Sequence, residues 1–186
     1  MLARLHGFEP ASRANGPGLR AVIWFQGCTI GCPHCFNPTT HPSEGGEEID
    51  TADLWHRITS AGMAVDGVTF SGGEPFQQPE ALLDLARRFQ DLRWSVLIFS
   101  GYTKPAIERI PLGPAILRQT DVLVAGPYRA DLHAGRGLLG SANQEIHLLT
   151  SRHSYQDFVD VPPTEVVLHR DGTVTLTGIS PLRLRR

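Results

Sequence analysis

The sequence of this 186-residue chain predicts an α/β fold built around a parallel sheet. Short apolar runs typical of buried strands alternate with segments that have the periodicity of amphipathic helices, and repeated units of this kind form parallel sheets. Glycine and proline are abundant, at 19 and 14 residues, which indicates many tight connections and argues against a helical bundle. With a hydrophobic content of 41%, a chain of this length can bury one core of ordinary size.

The predicted elements follow one another in strand–helix order. Each predicted strand is a short apolar run bounded by glycine or polar residues. Such runs occur at residues 21–27, 67–70, 94–99 and 121–126. Helices are predicted from N-capping residues such as Asp50 or Thr51, from early prolines and from the helical spacing of apolar residues. They lie at residues 51–62 and 79–90, with two short helices near 105–109 and 114–118.

The last third of the sequence differs from this pattern. Residues 132–144 are glycine-rich and polar, which predicts a loop over one face of the sheet. Residues 165–178 contain two alternating runs around an Arg-Asp-Gly turn, which predicts a β-hairpin. The chain ends in a basic tail with Arg183, Arg185 and Arg186, which is predicted to be a solvated terminus.

Charge and hydropathy exclude several classes of function. The net charge is −2 and the pI is about 6.4, so no basic field attracts nucleic acid. No apolar run approaches the length of a membrane span. The cysteines are odd in number and no signal peptide opens the sequence, so we expect a cytoplasmic protein with reduced thiols.

Three cysteines, Cys28, Cys32 and Cys35, are the only ones in the chain and lie within eight residues as C-x3-C-x2-C. This spacing predicts one metal site. A [4Fe–4S] cluster held by three thiolates keeps one iron open, to which a substrate or cofactor can bind. The alternative is a structural zinc ion completed by a histidine such as His34 or His41, which would make the chain a non-enzymatic metal-binding module.

Each unusual motif follows directly after a predicted strand. The cysteines follow the first strand, SGGEP (71–75) the second, SGYT (100–103) the third and AGPYR (125–129) the fourth. Ligands of parallel α/β sheets bind at the carboxyl ends of the strands. We therefore expect these four loops to converge on one mouth.

Together these motifs resemble those of the radical S-adenosylmethionine (SAM) superfamily. The detailed resemblance is to the activating enzymes of glycyl radical enzymes, and above all to the anaerobic ribonucleotide reductase activating proteins. The matching segments are NGPGLR (15–20), FQGCTIGCPHCFNPTT (25–40), SGGEPF (71–76), SGY (100–102), DVLVAGPY (121–128) and GSANQ (140–144). The resemblance implies a partial (β/α) TIM-like barrel in a single domain, 1–186, with a core at about 14–150 and a C-terminal extension at 151–186 that carries the hairpin.

The resemblance also implies a set of site residues. The three cysteines would bind the [4Fe–4S] cluster, and SAM would chelate its open iron. The remaining predicted cofactor contacts are the backbone of Gly72, Gly73 and Glu74 with the SAM amino group, His34 and Phe36 on either side of Cys35 with the adenosine, and Ser100 and Asn143 with the carboxylate or ribose. Ala125 departs from the family pattern, in which an aspartate is common at this position.

The function implied is reductive cleavage of SAM to a 5′-deoxyadenosyl radical, which then installs a glycyl radical on a partner enzyme of the anaerobic ribonucleotide reductase type. A flavodoxin or ferredoxin would supply the electron. The alternative is a free-standing radical SAM enzyme that acts on a small molecule or peptide, similar to 7-carboxy-7-deazaguanine synthase. The extra hairpin and Ala125 keep that alternative open.

Overall fold

The computed structural model of this protein describes residues 1–179, and the predicted basic tail lies outside the described residues. The strands are, in chain order, β1 (Leu2–Ser12), β2 (Arg20–Phe25), β3 (Glu47–Asp50), β4 (Gly67–Gly72), β5 (Ser95–Ser100), β6 (Val122–Ala125), β7 (His133–Arg136), β8 (Leu139–Ser141), β9 (Glu145–Leu148), β10 (Glu165–Leu168) and β11 (Val174–Thr177). The α-helices are α1 (Thr51–Thr59), α2 (Pro79–Asp91), α3 (Lys104–Ile107) and α4 (Gly113–Leu117).

The central sheet has seven strands in the order β3-β1-β2-β4-β5-β6-β9. Strands β2, β4, β5 and β6 are parallel to one another, as the four apolar runs predict. Strands β1, β3 and β9 pair antiparallel at the two sides. The order begins at β3 and ends at β9, so the described residues form an open, mostly parallel sheet. This confirms the α/β class.

The parallel strands are apolar because both of their faces are covered. One face packs against the helices, where Ile23, Phe70 and Ile98 meet Leu82 and Phe89 of α2. Asp50 begins α1 by accepting a hydrogen bond from Ala52 N, and Pro79 lies in the first turn of α2. Both features agree with the predicted helix starts.

The opposite face of the sheet is more polar. It carries a smaller apolar cluster of Leu97, Val122 and Val124 with Leu138 and Phe158 from the last third of the chain. None of the helices in residues 1–179 is both long enough and apolar enough to cross a membrane.

The buried cation Arg20 begins β2 and lies among hydrogen-bond acceptors. Its Nη2 donates to the carbonyl oxygens of Val68 and Ser95, each at 2.8 Å, and its Nε donates to Thr69 Oγ1. Burial lowers the pKa of Arg20 to about 10. The guanidinium thereby fastens three neighbouring strands together.

Three strands of the sheet do not appear among the predicted elements. β1 contains Gly7 and Pro10, and its pairing with β2 shifts register twice, so its alternation of buried and exposed residues is irregular. β3 and β9 have only four residues each and are rich in charged or polar side chains. Residues 132–144, predicted as a loop, contain the short hairpin β7–β8. The C-terminal hairpin β10–β11 forms as predicted.

Candidate functional site

The carboxyl ends of the four parallel strands meet at one cavity, which we call the strand-end cavity. The space inside it that protein atoms leave free is about 670 Å³, with open solvent at its mouth included. Its lining includes all three cysteines together with Phe36, Ser71, Gly72, Gly73, Glu74, Ser100, Gly101 and Gly126. The four loops that follow the strands therefore converge as expected.

The segment that follows β2, residues 28–37, is the cysteine loop. Its beginning is fixed, since Cys28 N donates to the carbonyl oxygen of His41 at 3.0 Å. Its far end is held locally, because Cys35 N donates to Cys32 O and Asn37 N donates to Cys35 Sγ. All three thiols are half-buried, and burial raises the pKa of Cys28 and Cys35. Metal binding must therefore displace protons from these thiols.

The three thiols line one cavity without meeting at a single point. In the described residues, no three His, Cys, Asp or Glu side chains converge closely enough to hold one metal ion. A structural zinc site needs four such ligands around one point, with sulfur at roughly 2.3 Å. In an iron–sulfur cluster each cysteine binds a different iron, so three thiols spread around one cavity fit a cluster.

Residues 71–77, which are the end of β4 and the turn after it, form the glycine loop, and it lies directly against the start of the cysteine loop. Gly73 N donates to Phe25 O at 2.8 Å, and Glu74 N donates to Gly27 O at 2.9 Å. A Cβ at Gly73 would overlap the carbonyl oxygen of Gly27, and Gly72 has a φ of +96°. Both glycines are therefore required for the close approach of the two backbones.

The side chain of Glu74 is 1% exposed and connects the glycine loop to the end of β5. One carboxyl oxygen accepts from Phe76 N at 3.0 Å and from Ser100 Oγ at 2.9 Å, and the other accepts from Gly101 N at 2.8 Å. Burial raises the pKa of Glu74 to about 7, against the opposite effect of these three hydrogen bonds. The carboxyl group thus fixes the position of the backbone rather than facing solvent.

Two predicted contact residues lie outside the strand-end cavity. His34 is exposed, has a φ of 58° and is not part of the lining. Asn143 lines a neighbouring pocket beside Ala125, and its Nδ2 donates to the carbonyl oxygen of Pro127. Phe36, Ser100 and the three glycine-loop residues do line the cavity. The cofactor contacts assigned to all of these residues stay predictions.

Sequence reasoning missed part of the cavity wall. The rings of Phe36 and Tyr128 meet edge to face, with centroids 5.2 Å apart. Gln144 Nε2 donates to the carbonyl oxygen of Gly126, while its Oε1 accepts from the backbone of Gly140 and Ser141. The signal was present, because Tyr128 and Gln144 stand in the DVLVAGPY and GSANQ segments. The folding back of residues 127–144 makes both part of the lining.

Three relatives share sequence with this chain. The pyruvate formate-lyase-activating enzyme of Clostridium pasteurianum is 38% identical over 91 residues, which are 47% of this chain and 38% of that enzyme. The pyruvate formate-lyase 1-activating enzyme of Escherichia coli (strain K12) is 35% identical over 91 residues, 47% of this chain and 37% of that enzyme. The anaerobic ribonucleoside-triphosphate reductase-activating protein of the same strain is 26% identical over 153 residues, 77% of this chain and 97% of that protein. The chain thus spans less than two fifths of the first two relatives.

A solved structure and a family profile add to these relatives. The crystal structure of QueE from Escherichia coli superposes with a TM-score of 0.46 at 20% identity, over 55% of this chain and 54% of that one. A TM-score of this size does not establish a shared fold. The profile described as a 4Fe-4S single cluster domain matches residues 14–147, which include both loops. The cofactors that this family and these relatives imply are a [4Fe–4S] cluster and SAM. The chain belongs to the 4Fe-4S single cluster domain family, and the relatives named above are activating enzymes or activating proteins.

Proposed function

We propose that this protein is a radical SAM activase that installs a glycyl radical on a partner enzyme of the anaerobic ribonucleotide reductase type. The observation that carries the proposal is the convergence of three thiols and a glycine-lined backbone on one cavity. The relative that this chain covers almost completely is an anaerobic ribonucleoside-triphosphate reductase-activating protein, which supports that type of partner. A flavodoxin or ferredoxin is the proposed electron donor.

The roles of the chain's own residues follow from their positions. Cys28, Cys32 and Cys35 would hold the cluster, and an iron without a cysteine ligand would be available to SAM. When bound, the cluster and SAM supply one-electron cleavage of SAM to a 5′-deoxyadenosyl radical. The backbone of Gly72 and Gly73 approaches the ligand closely because neither residue carries a side chain.

Other residues position this backbone and shape the cavity. Glu74 accepts hydrogen bonds from Ser100 and Gly101 at the end of β5, which connects the glycine loop to that strand end. Phe36 and Tyr128 form an apolar wall that excludes water from the adenosine. We further propose that the sheet is part of a partial (β/α) barrel in a single domain. The core at about 14–150 and the extension at 151–186 stay predictions.

The first experiment tests the chemistry without a partner. The protein is reconstituted anaerobically with iron and sulfide, and 5′-deoxyadenosine is measured after addition of SAM and dithionite. We expect product from the wild type and none from Cys32→Ala. Absence of product from a protein with a full cluster would contradict the proposal. One zinc per chain in place of iron would return the site to a structural role.

The second experiment tests the partner. An anaerobic ribonucleotide reductase is added to the reconstituted protein, and electron paramagnetic resonance monitors formation of a glycyl radical. We expect a radical that depends on both SAM and Cys32. Cluster-dependent 5′-deoxyadenosine without a radical on any glycyl radical enzyme would instead support the free-standing enzyme as the function.

A further inference from the structure

Two of the eight histidines in this chain have side chains without a partner. Within residues 1–179, the other six form a hydrogen bond, an ion pair or a ring contact with a neighbouring side chain, and they are His6, His56, His133, His147, His153 and His169. The rings of His34 and His41 form none of these contacts with a described residue. Of these two, only His41 lines the strand-end cavity, together with the three thiols.

The backbone of His41 is fixed directly beside the first cysteine. Cys28 N donates to the carbonyl oxygen of His41 at 3.0 Å. The buried side chain of Gln26 donates from Nε2 to the carbonyl oxygens of Thr39 and Pro42, at 3.2 and 2.8 Å. The turn that carries His41 is therefore held on both sides, and the half-buried imidazole extends from a fixed point at the edge of the cavity.

Other polar side chains of the lining are less suited to bind iron. The carboxyl of Glu74 already accepts three hydrogen bonds. Asn37 and Ser71 have no side-chain hydrogen bond to a described residue, but they offer only a neutral amide and a hydroxyl. Oxygen ligands suit magnesium, calcium or manganese, whereas imidazole suits iron. Histidines replace cysteines on one iron of Rieske clusters, so imidazole is an established ligand of iron in such clusters.

The position of His41 fits the iron that the cysteines do not bind. A [4Fe–4S] cluster held by Cys28, Cys32 and Cys35 has one iron without a thiolate, and in the absence of SAM that iron needs a ligand from water or from the protein. In the described part of the chain, His41 and the thiols line one cavity without converging on one point. Four side chains that each bind a different iron would have this arrangement.

We propose that the His41 imidazole binds the open iron of the cluster when SAM is absent and is displaced when SAM binds. This inference rests on the proposed function. The exchange breaks one iron–nitrogen bond, forms the bonds from SAM to the same iron and transfers no electron. His41 thereby retains the fourth iron in the resting protein, and it lowers the apparent affinity for SAM by the fraction of clusters that it occupies.

The first test detects the iron–nitrogen bond itself. Protein labelled with ¹⁵N-histidine is loaded with iron and sulfide and reduced with dithionite without SAM, and pulsed electron paramagnetic resonance measures coupling of ¹⁵N to the cluster. We expect the strong coupling of a directly bound nitrogen in the wild type. The coupling should be absent from His41→Ala, and it should disappear from the wild type when unlabelled SAM is added just before freezing.

Two further histidine variants control this measurement. His34→Ala removes the other unpartnered ring, which is exposed and outside the cavity lining, and the ¹⁵N coupling should persist. His56→Ala removes an exposed ring on α1 and should also keep the coupling. His41→Gln keeps a polar side chain without an imidazole, so it should lose the coupling as His41→Ala does. Melting curves of the metal-free proteins show whether each variant is folded.

The second test measures the affinity for SAM by equilibrium dialysis with the oxidised cluster, which does not cleave SAM. His41→Ala and His41→Gln should bind SAM about tenfold more tightly than the wild type, which is the change expected if His41 occupies about nine tenths of the clusters. Both variants should also lose one iron per cluster to a chelator severalfold faster when SAM is absent. A purely structural role of His41 would instead weaken SAM binding in both variants.

The outcomes separate this inference from the proposed function. A ¹⁵N coupling that persists in His41→Ala, or that is missing from a wild type with a full cluster, overturns the assignment of His41 alone. SAM binding that is unchanged or weaker in both His41 variants also overturns it. A wild type with a full cluster that cleaves no SAM overturns the proposed function instead. The ¹⁵N coupling is measured before SAM is added and does not depend on that result.

Discussion

The cysteine loop and the glycine loop face the same cavity but are held in different ways. The glycine loop is fixed by backbone hydrogen bonds to Phe25 and Gly27 and by the buried carboxyl of Glu74. The middle of the cysteine loop, from Ile30 to His34, is partly or fully exposed. Among the described residues, its one backbone–backbone hydrogen bond is the one that Cys32 O accepts from Cys35 N, while the backbone of Ile30 and Gly31 bonds to the Cys28 thiol.

This difference indicates that the two loops depend on the cofactor to different extents. The glycine loop has its geometry before any cofactor binds, because its polar groups already have partners. The cysteine loop has three partly exposed thiols and few internal contacts, so the cluster itself must fix its shape. Substitutions at the close backbone contacts of the glycine loop should therefore lower the stability of the metal-free protein, whereas removal of a thiol from the cysteine loop should act through the cluster.

The largest expected effect is that of Cys35→Ala. Its Sγ accepts one hydrogen bond, from Asn37 N, and the thiol is half-buried, so the fold should change little. The cluster loses one of its three thiolates, and we expect loss of iron, sulfide and SAM cleavage together. Metal analysis after anaerobic reconstitution and melting of the metal-free protein measure the two parts. A large drop in melting temperature without metal would show that the loop is structured by its thiols alone.

The same substitution in both loops is the sharpest test of the comparison. Gly73→Ala forces a Cβ against Gly27, and we expect destabilisation of about 3 kcal/mol in the metal-free protein. Gly31→Ala meets open space at a φ of +66°, so only backbone strain of about 1 kcal/mol is expected. Chemical unfolding measures both. SAM cleavage should be lost in the first variant and retained in the second, and equal losses would contradict the division of roles.

Glu74→Gln tests the buried carboxyl. Both carboxyl oxygens accept from backbone N–H groups, so an amide NH₂ must face one of these donors, at a cost of about 1–3 kcal/mol. The raised pKa adds a pH dependence: the folded protein keeps the proton up to about pH 7, whereas the unfolded chain releases it near 4.5. The free energy of unfolding of the wild type should therefore fall as the pH rises from 4.5 to about 7, by roughly 3 kcal/mol at most.

Unfolding of the metal-free protein between pH 5 and pH 8 measures this dependence. The free energy of unfolding of Glu74→Gln should lack the fall that Glu74 causes in the wild type over that window. The difference between the two free energies should therefore narrow as pH rises. Glu80→Gln on α2 removes an exposed carboxyl and serves as the control. A wild type whose stability changes with pH in parallel with Glu74→Gln would contradict the burial effect.

Much of this arrangement could be predicted from sequence, and the exceptions have physical reasons. The four parallel strands are buried on both faces and are continuous apolar runs, so their existence and parallel arrangement were recognisable. β1 was missed because Gly7 and Pro10 interrupt its alternation. Phe36 and Glu74 line the cavity because they lie within strand-end motifs, and their contacts with the cofactor stay predictions. The positions of His34 and Asn143 depend on local backbone geometry, such as the positive φ of His34, which no motif specifies.

The smallest effect is expected at the contact between the two loops. Gln77 Oε1 accepts from Thr29 N at 3.1 Å, while its Nε2 donates to Thr29 Oγ1 and to the hydroxyl of Tyr102. Gln77→Leu removes these bonds at a half-exposed site. We expect a cost of about 1 kcal/mol, equivalent to a fall in melting temperature of roughly 2–4 °C.

The informative readout for Gln77→Leu is the rate at which an iron chelator removes the cluster. If the cysteine loop takes its position from the glycine loop, freeing Thr29 should speed iron loss by severalfold, although the melting temperature changes little. Gln156→Leu, at an exposed position distant in sequence from both loops, is the matched control. Iron loss at the wild-type rate would mean that the cluster alone holds the cysteine loop. The backbone bonds from Gly73 to Phe25 and from Glu74 to Gly27 would then position only the residues just before the cysteine loop.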